Sequence, residues 1–285
     1  MRFALTCENP ENMCVMWQPM RSSLRGMTLL IAVFVLFAGP PAGATPITIG
    51  TGPVAAVPGS AGTGLSASYY SFGSTEATSW AQASSLIAAS SGPTATFTTT
   101  AICYPNCSGS TINDSPLTMA QYVGGSSSNF TYTVPPTQIP TTIADTAMVI
   151  TGYIAITQAG TYTFNLGSDD GSLLYIGGQQ IINNDGQHNF QTDTQQVNFS
   201  AAGLYAITLD DFEASGSAGF DLYASNPSGA CVIGRAASCA AGTAQTGLFY
   251  SSLPAAPAPE PASLWVMATG LLGIFGILRR RQART

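Results

Sequence analysis

Residues 152–185 read GYIAITQAGTYTFNLGSDDGSLLYIGGQQIINND, and the fold turns on this stretch. It opens with alternating apolar and polar residues, the period-two pattern of a half-buried strand. In Tyr162-Thr163-Phe164-Asn165-Leu166 the aromatic and aliphatic side chains share one face. Asp169-Asp170-Gly171 interrupts the pattern. A second apolar run, Leu173-Leu174-Tyr175-Ile176, leads to the turn Gly177-Gly178, and residues 179–182 return as a hairpin partner. Neighbouring strand residues point to opposite faces, so Asp169 and Asp170 should diverge. An unusual backbone such as a cis peptide would bring both onto one hard cation. The competing reading is a solvated Asp-Gly turn.

Strands recur at short intervals on both sides: residues 65–72, 129–134, 147–157, 160–166, 173–176, 179–182, 195–199, 203–209 and 219–224. Gly-rich turns between them indicate an all-β antiparallel sandwich or barrel. One helix is expected over residues 75–89, with Thr75 as N-cap and Trp80, Ala83, Leu86 and Ile87 on its buried face. Trp80 reads as a core plug. The last strands enclose a second acidic segment, Asp210-Asp211-Phe212-Glu213-Ala214-Ser215-Gly216, read as a loop.

The order of these signals resembles the protective-antigen (PA-14) domain family, a β-barrel module of bacterial toxins, glycosidases and yeast adhesins. The matching elements are Gly64-Leu65-Ser66-Ala67-Ser68-Tyr69-Tyr70, Gly152-Tyr153-Ile154, Ser168-Asp169-Asp170-Gly171-Ser172 with Leu174, Ala202-Gly203-Leu204-Tyr205, and Phe212-Glu213. They cover residues 64–227. The resemblance implies that Asp169 and Asp170, joined by a cis peptide, hold a calcium ion that in turn holds sugar hydroxyls. In sugar-binding relatives a loop near residues 210–216 supplies the other ligands, usually an asparagine and backbone carbonyls. This sequence offers Glu213 and Asp211 there and no asparagine, a departure that bears on sugar specificity more than on the fold.

Charge sets the class of partner. Only 8% of the 285 residues are charged, and none is lysine. Between residues 45 and 258 a single arginine, Arg235, faces eleven acids, a balance of −10. Such a surface repels phosphate backbones, so nucleic acid is a poor partner and cations are good ones. A hydrophobic content of 45% with repeated strand patterns argues for a folded domain.

The ends read as export signals. Residues 20–44 carry a basic start, an apolar run over 27–38 and a small-residue site at Ala42-Gly43-Ala44, a signal peptide cut after Ala44. Residues 1–19 then read as a mis-assigned upstream start, and 45–63 as a lead-in to the β domain, 64–240. Residues 241–258 form a Pro/Ala linker. Residues 259–285 join Pro259-Glu260-Pro261, an apolar stretch at 262–278 and Arg279-Arg280-Arg281. Seventeen helical residues rise about 26 Å, a marginal transmembrane span, with the basic end in the cytoplasm. These three parts resemble the PEP-CTERM sorting signal of Gram-negative bacteria that make extracellular polysaccharide. The resemblance implies recognition by an exosortase, cleavage near the Pro-Glu-Pro, and transient anchoring by the helix.

An exported chain meets an oxidising compartment, where Cys103, Cys107, Cys231 and Cys239 are expected to form disulfides. Local pairs, 103–107 and 231–239, are preferred; a bridge from Cys103 to the 231–239 region stays open. Their spacing suits zinc poorly.

Catalysis has little support. The lone histidine, His188, sits in a polar hairpin loop without a G-x-S-x-G nucleophile pattern. Two function classes remain. One is a calcium-dependent binder of exopolysaccharide or cell-surface glycan. The other is a non-lectin structural protein of the envelope or biofilm matrix.

Overall fold

The computed structural model describes residues 4–7, 14–17, 45–105, 111–234 and 247–254. The chain divides into two compact units, residues 1–43 and 44–285. In the first, β1 (Ala4–Cys7) pairs antiparallel with β2 (Cys14–Trp17).

The second unit begins with β3 (Ile47–Thr48), β4 (Leu65–Ser71), helix α1 (Trp80–Ala89) and β5 (Ala95–Thr99). Short elements follow: β6 (Cys103–Tyr104), β7 (Ile112–Asn113), helix α2 (Met119–Val123) and β8 (Ser127–Tyr132). The long strands are β9 (Thr146–Ile156), β10 (Gly160–Asp169), β13 (Gln191–Phe199), β14 (Gly203–Glu213) and β15 (Ser217–Ser225), with β11 (Ser172–Ile176) and β12 (Gln179–Asn184) as the hairpin between β10 and β13. β16 (Cys231–Ile233) and β17 (Phe249–Tyr250) complete it.

These strands make two sheets. One runs β16-β15-β10-β13-β3, with β6 and β7 also paired to β15; the other runs β12-β11-β14-β9-β4-β5-β8, with β17 on β9. Pairing is antiparallel throughout except between β13 and β3. The expected all-β architecture is therefore present.

Period-two alternation fills the space between the sheets. Tyr162, Phe164 and Leu166 of β10, with Phe220 and Leu222 of β15, face Met148 and Ile150 of β9 and Tyr205, Ile207 and Leu209 of β14, all buried. Phe199 of β13 meets Tyr205 edge-on, ring centroids 4.9 Å apart, and ties one sheet to the other. A satellite cluster lies on the outer face of the second sheet. There Trp80, Leu86 and Ile87 of α1 pack around Ala147 and Phe212, the plug role read for Trp80.

Three local readings change. α1 begins at Trp80, because Ser79 is the N-cap, its side chain accepting from the Gln82 amide. Thr75, the expected cap, lies in the turn before the helix, its amide bonding the Phe72 carbonyl. A second helix, α2, forms where only loop was read, held by a capping box between Thr118 and Gln121. Most consequentially, β14 runs through Asp210, Asp211 and Phe212 to Glu213, paired to β9 along its whole length, so the acidic segment is strand up to Glu213.

Among the described residues no helix is long and apolar enough to cross a membrane. The stretch 262–278, the sorting residues Pro259, Glu260, Pro261 and Arg279–Arg281, and the signal segment all fall outside the described residues.

Candidate cation site and cleft

The buried row Tyr205-Ile207-Leu209 on β14 does not stop at the apolar residues. The same alternation carries Asp211 and Glu213 onto the core side, with exposures of 7% and 4%, while Phe212 faces outward under α1. Opposite them, β10 ends at Asp169 and the chain turns through Asp170 and Gly171 into β11. The Asp169–Asp170 peptide is cis. Carboxylate oxygens of Asp169, Asp170 and Glu213 lie within 4.8 Å of one another. Asp211 sits on the same strand face outside this trio.

The turn is tightly enclosed. A Cβ on Gly171 would lie 2.4 Å from Phe212 Cε1 and 2.8 Å from the Gly186 nitrogen, so only glycine fits between the acidic strand and the β12–β13 loop. Beneath it, Ser168 and Ser172 hydroxyls meet at 2.7 Å, Asn184 Nδ2 donates to Ser168 Oγ at 2.9 Å, and Gln191 Nε2 donates to Asn184 Oδ1 at 2.8 Å. This buried polar network joins both arms of the β10–β11 turn to both stems of the next loop.

Asp170 is held by the backbone. Its Oδ1 accepts the His188 amide at 3.0 Å and its Oδ2 the Ala214 amide at 2.9 Å. The Phe190 amide lies near Asp169 and favours its ionised form. Glu213 is different: neither of its carboxylate oxygens has a hydrogen-bond partner, and Asp211 Oδ1 has none either. Buried carboxylate oxygens are rarely left so.

The electrostatics follow. Burial, then the charge of Asp170, raises Asp169 to about 6. Burial, then Asp170, Asp211 and Asp169, raises Glu213 to about 10. Asp211 is raised well above the ordinary carboxylate range, chiefly by burial. No lysine or arginine stands among the described residues of this unit to offset these charges. Four carboxyls so placed cannot all ionise without a cation. Three carboxylates bunched at one buried point, with unpaired oxygens, fit a hard divalent ion that takes oxygen ligands.

Asp169 and Asp170 line a cleft of about 500 Å³, together with residues 187–189, residues 215–217 and Glu76. Its lining is amide, hydroxyl and carboxylate. Both His188 ring nitrogens face backbone carbonyls, Nδ1 to Asn189 at 3.1 Å and Nε2 to Asn184 at 3.0 Å. Both ring nitrogens are thus directed at the imidazole's own loop. Cys103 and Cys231 are each disulfide-bonded; the expected pairings involve Cys107 and Cys239, which lie outside the described residues.

Of the four expected ligands, the structure brings Asp169, Asp170 and Glu213 together and leaves Asp211 outside the cluster. Sequence reasoning missed the loop at residues 184–191, whose contribution is largely backbone, and the supporting Ser168–Ser172–Asn184–Gln191 network. Serines flanking the aspartates, two and one residue away, were the available signal for the network.

The fold and site together define a two-sheet β module with a buried cluster of carboxylates at the β10–β11 turn. A PA14 domain is matched over residues 127–231 and a PEP-CTERM protein-sorting motif over residues 257–281. Among solved structures, the chain is similar to a PA14 sugar-binding domain from an RTX adhesin, at 22% identity and a TM-score of 0.50, covering 61% of this chain and 95% of that one. It is also similar to the PA14 domain of the MpAFP antifreeze protein, at 20% identity and a TM-score of 0.51, covering 71% and 98%. No curated protein matches the chain. The PA14 match begins at β8, yet β4 and β5 pair within the same sheet, so the fold extends well before it. The sorting motif implies export and sorting to the cell envelope or surface.

Proposed function

We propose that this exported protein binds carbohydrate, an exopolysaccharide or a cell-surface glycan, through calcium held by Asp169, Asp170 and Glu213. The observation that carries the reading is the trio itself: three buried carboxylates within 4.8 Å, both oxygens of Glu213 unpartnered, with Asp169 and Asp170 lining an open polar cleft. Calcium would supply a centre of positive charge on which two sugar hydroxyls can be held. The chain's own residues do the rest. Backbone amides of His188 and Ala214 orient Asp170, and Gln187 and Asn189 offer side-chain hydrogen bonds at the cleft wall. Asp211, next to Phe212 on the same strand face as Glu213, is held toward its neutral form by burial and would add charge only once a cation offsets it. Sorting through an exosortase-type enzyme, with the 262–278 segment as a temporary membrane anchor, would deliver the domain outside a Gram-negative cell.

A calorimetric calcium titration of the purified protein tests the cation. Retention on agarose and dextran, in calcium and in chelator, tests the glycan. Saturable calcium binding with calcium-dependent retention is the expected result. Absence of both would favour the second reading, a structural envelope or matrix protein whose acids keep it soluble.

A further inference from the structure

Asp185 stands outside the carboxylate trio, on the loop between β12 and β13, and it reaches away from the cleft. Its Oδ1 accepts the Trp80 amide at 2.7 Å and the Gly186 amide at 2.8 Å, and its own amide donates to Asn183 Oδ1 at 3.1 Å. Trp80 is the first residue of α1. Ser79, the N-cap, serves the Gln82 amide, so the Trp80 amide would otherwise lack a partner from the cap. The first turn of α1 carries no acid of its own, and Asp185 supplies a carboxylate there from 105 residues away.

A second tether runs parallel to the first: Gln187 Nε2 donates to Glu76 Oε1, just before the helix. The next residue, His188, turns the other way, its amide bonding Asp170 and its ring bridging the Asn184 and Asn189 carbonyls. Residues 185–189 therefore rest on two supports. On the outer side is α1, itself fixed to the sheet through Trp80, Leu86, Ile87 and Phe212. On the inner side is Asp170.

We infer that Asp185 is a positioning residue for glycan recognition: by docking the β12–β13 loop on the N-terminus of α1 it sets where Gln187 and Asn189 stand over the cation. The specificity part of this inference rests on the cleft binding glycan. The positioning part does not. Asp185 bonds none of the trio's oxygens and reaches them only through the His188 amide, while Ala214 holds Asp170 independently, so its loss should alter the cleft wall more than calcium affinity.

The test compares the full mature protein with Asp185→Ala and Asp185→Asn, the second of which keeps an acceptor oxygen for the Trp80 and Gly186 amides. Hydrogen exchange of peptides covering residues 186–190 should quicken about tenfold in the alanine variant and stay near wild type in the asparagine variant. Calcium affinity by calorimetry should stay within about threefold in both. Retention on whichever of agarose or dextran holds the wild type should fall about fivefold or more in the alanine variant and recover in the asparagine variant. Unchanged exchange in Asp185→Ala would overturn the inference. So would calcium affinity falling in step with exchange, or exchange rising equally in peptides from β9 and β14. A wild-type protein that binds calcium but neither matrix would remove the specificity part, and exchange would still decide whether Asp185 holds the loop.

Discussion

Glu213 carries the sharpest consequence of burial. Its folded value of about 10 and that of Asp169, about 6, are both raised. The folded chain therefore binds more protons than the unfolded one from the ordinary carboxylate range, ~pH 4, up to those values. Stability of the cation-free protein should be greatest near the lower limit. It should fall as pH rises through about 6 for Asp169, and further toward about 10 for Glu213. Calcium, which favours the ionised forms, should offset the decline. Melting in chelator and in excess calcium at several pH values checks this; a chelator curve rising from mild acid to neutral pH would contradict it. Glu213→Gln keeps the volume and removes the charge. In chelator it should melt at or above wild type. In calcium at a hundredfold excess over Kd it should lack the ~2.7 kcal/mol that a ligand at that concentration confers. Asp170→Asn is a less clean probe. Both Asp170 oxygens accept backbone amides, so an amide NH2 would face His188 or Ala214 and cost about 1–3 kcal/mol apart from any cation effect.

Strand β14 shows how much of the site was legible in the sequence. The row Tyr205-Ile207-Leu209 announced its buried face, and strict alternation would have continued that face through Asp211 and Glu213. Consecutive acids argue against burial on ordinary grounds, so the sequence pattern ends the strand at residue 209. Tertiary pairing with β9 through Thr146 overrode that preference. The β10–β12 hairpin was readable because its apolar residues are large and its turns glycine-rich. β5 escaped notice because threonines dilute its pattern, although Ala95, Phe97 and Thr99 face the core. The loop at 184–191 was illegible for another reason: its key contacts are amides and carbonyls that any sequence possesses. Phe212 links these levels, since it separates the two core-side acids, packs under α1 and abuts Gly171. Phe212→Ala should cost about 3–5 kcal/mol in chemical denaturation, the range for emptying a buried aromatic site. It should also weaken calcium binding, by loosening the strand end that carries Glu213. A loss below about 1 kcal/mol would mean that α1 is not anchored there.

At the scale of the molecule, an acidic module with no lysine or arginine among its described residues is joined to a basic tail. The PEP-CTERM match covers residues 257–281, and the sequence there sets two opposing demands on the membrane. As a helix, the seventeen residues 262–278 would reach about 26 Å at 1.5 Å each, short of a ~30 Å hydrocarbon core, and Arg279, Arg280 and Arg281 would hold one end in the cytoplasm. Such a segment would anchor adequately for processing and poorly for permanence. If an exosortase-type enzyme acts at Pro259-Glu260-Pro261, removing residues 262–285 should bypass the anchored stage. The truncated protein should then appear in the medium, with the membrane fraction depleted. Replacing Pro259 and Glu260 by alanine should do the opposite, trapping full-length protein in the membrane fraction. The two variants separate anchoring from cleavage, because the first abolishes the span and the second leaves it intact. Fractionation with mass measurement of the mature chain reads both. Equal envelope retention of the truncated and wild-type proteins would show that the β module, through glycan or another partner, is what keeps the protein at the cell surface.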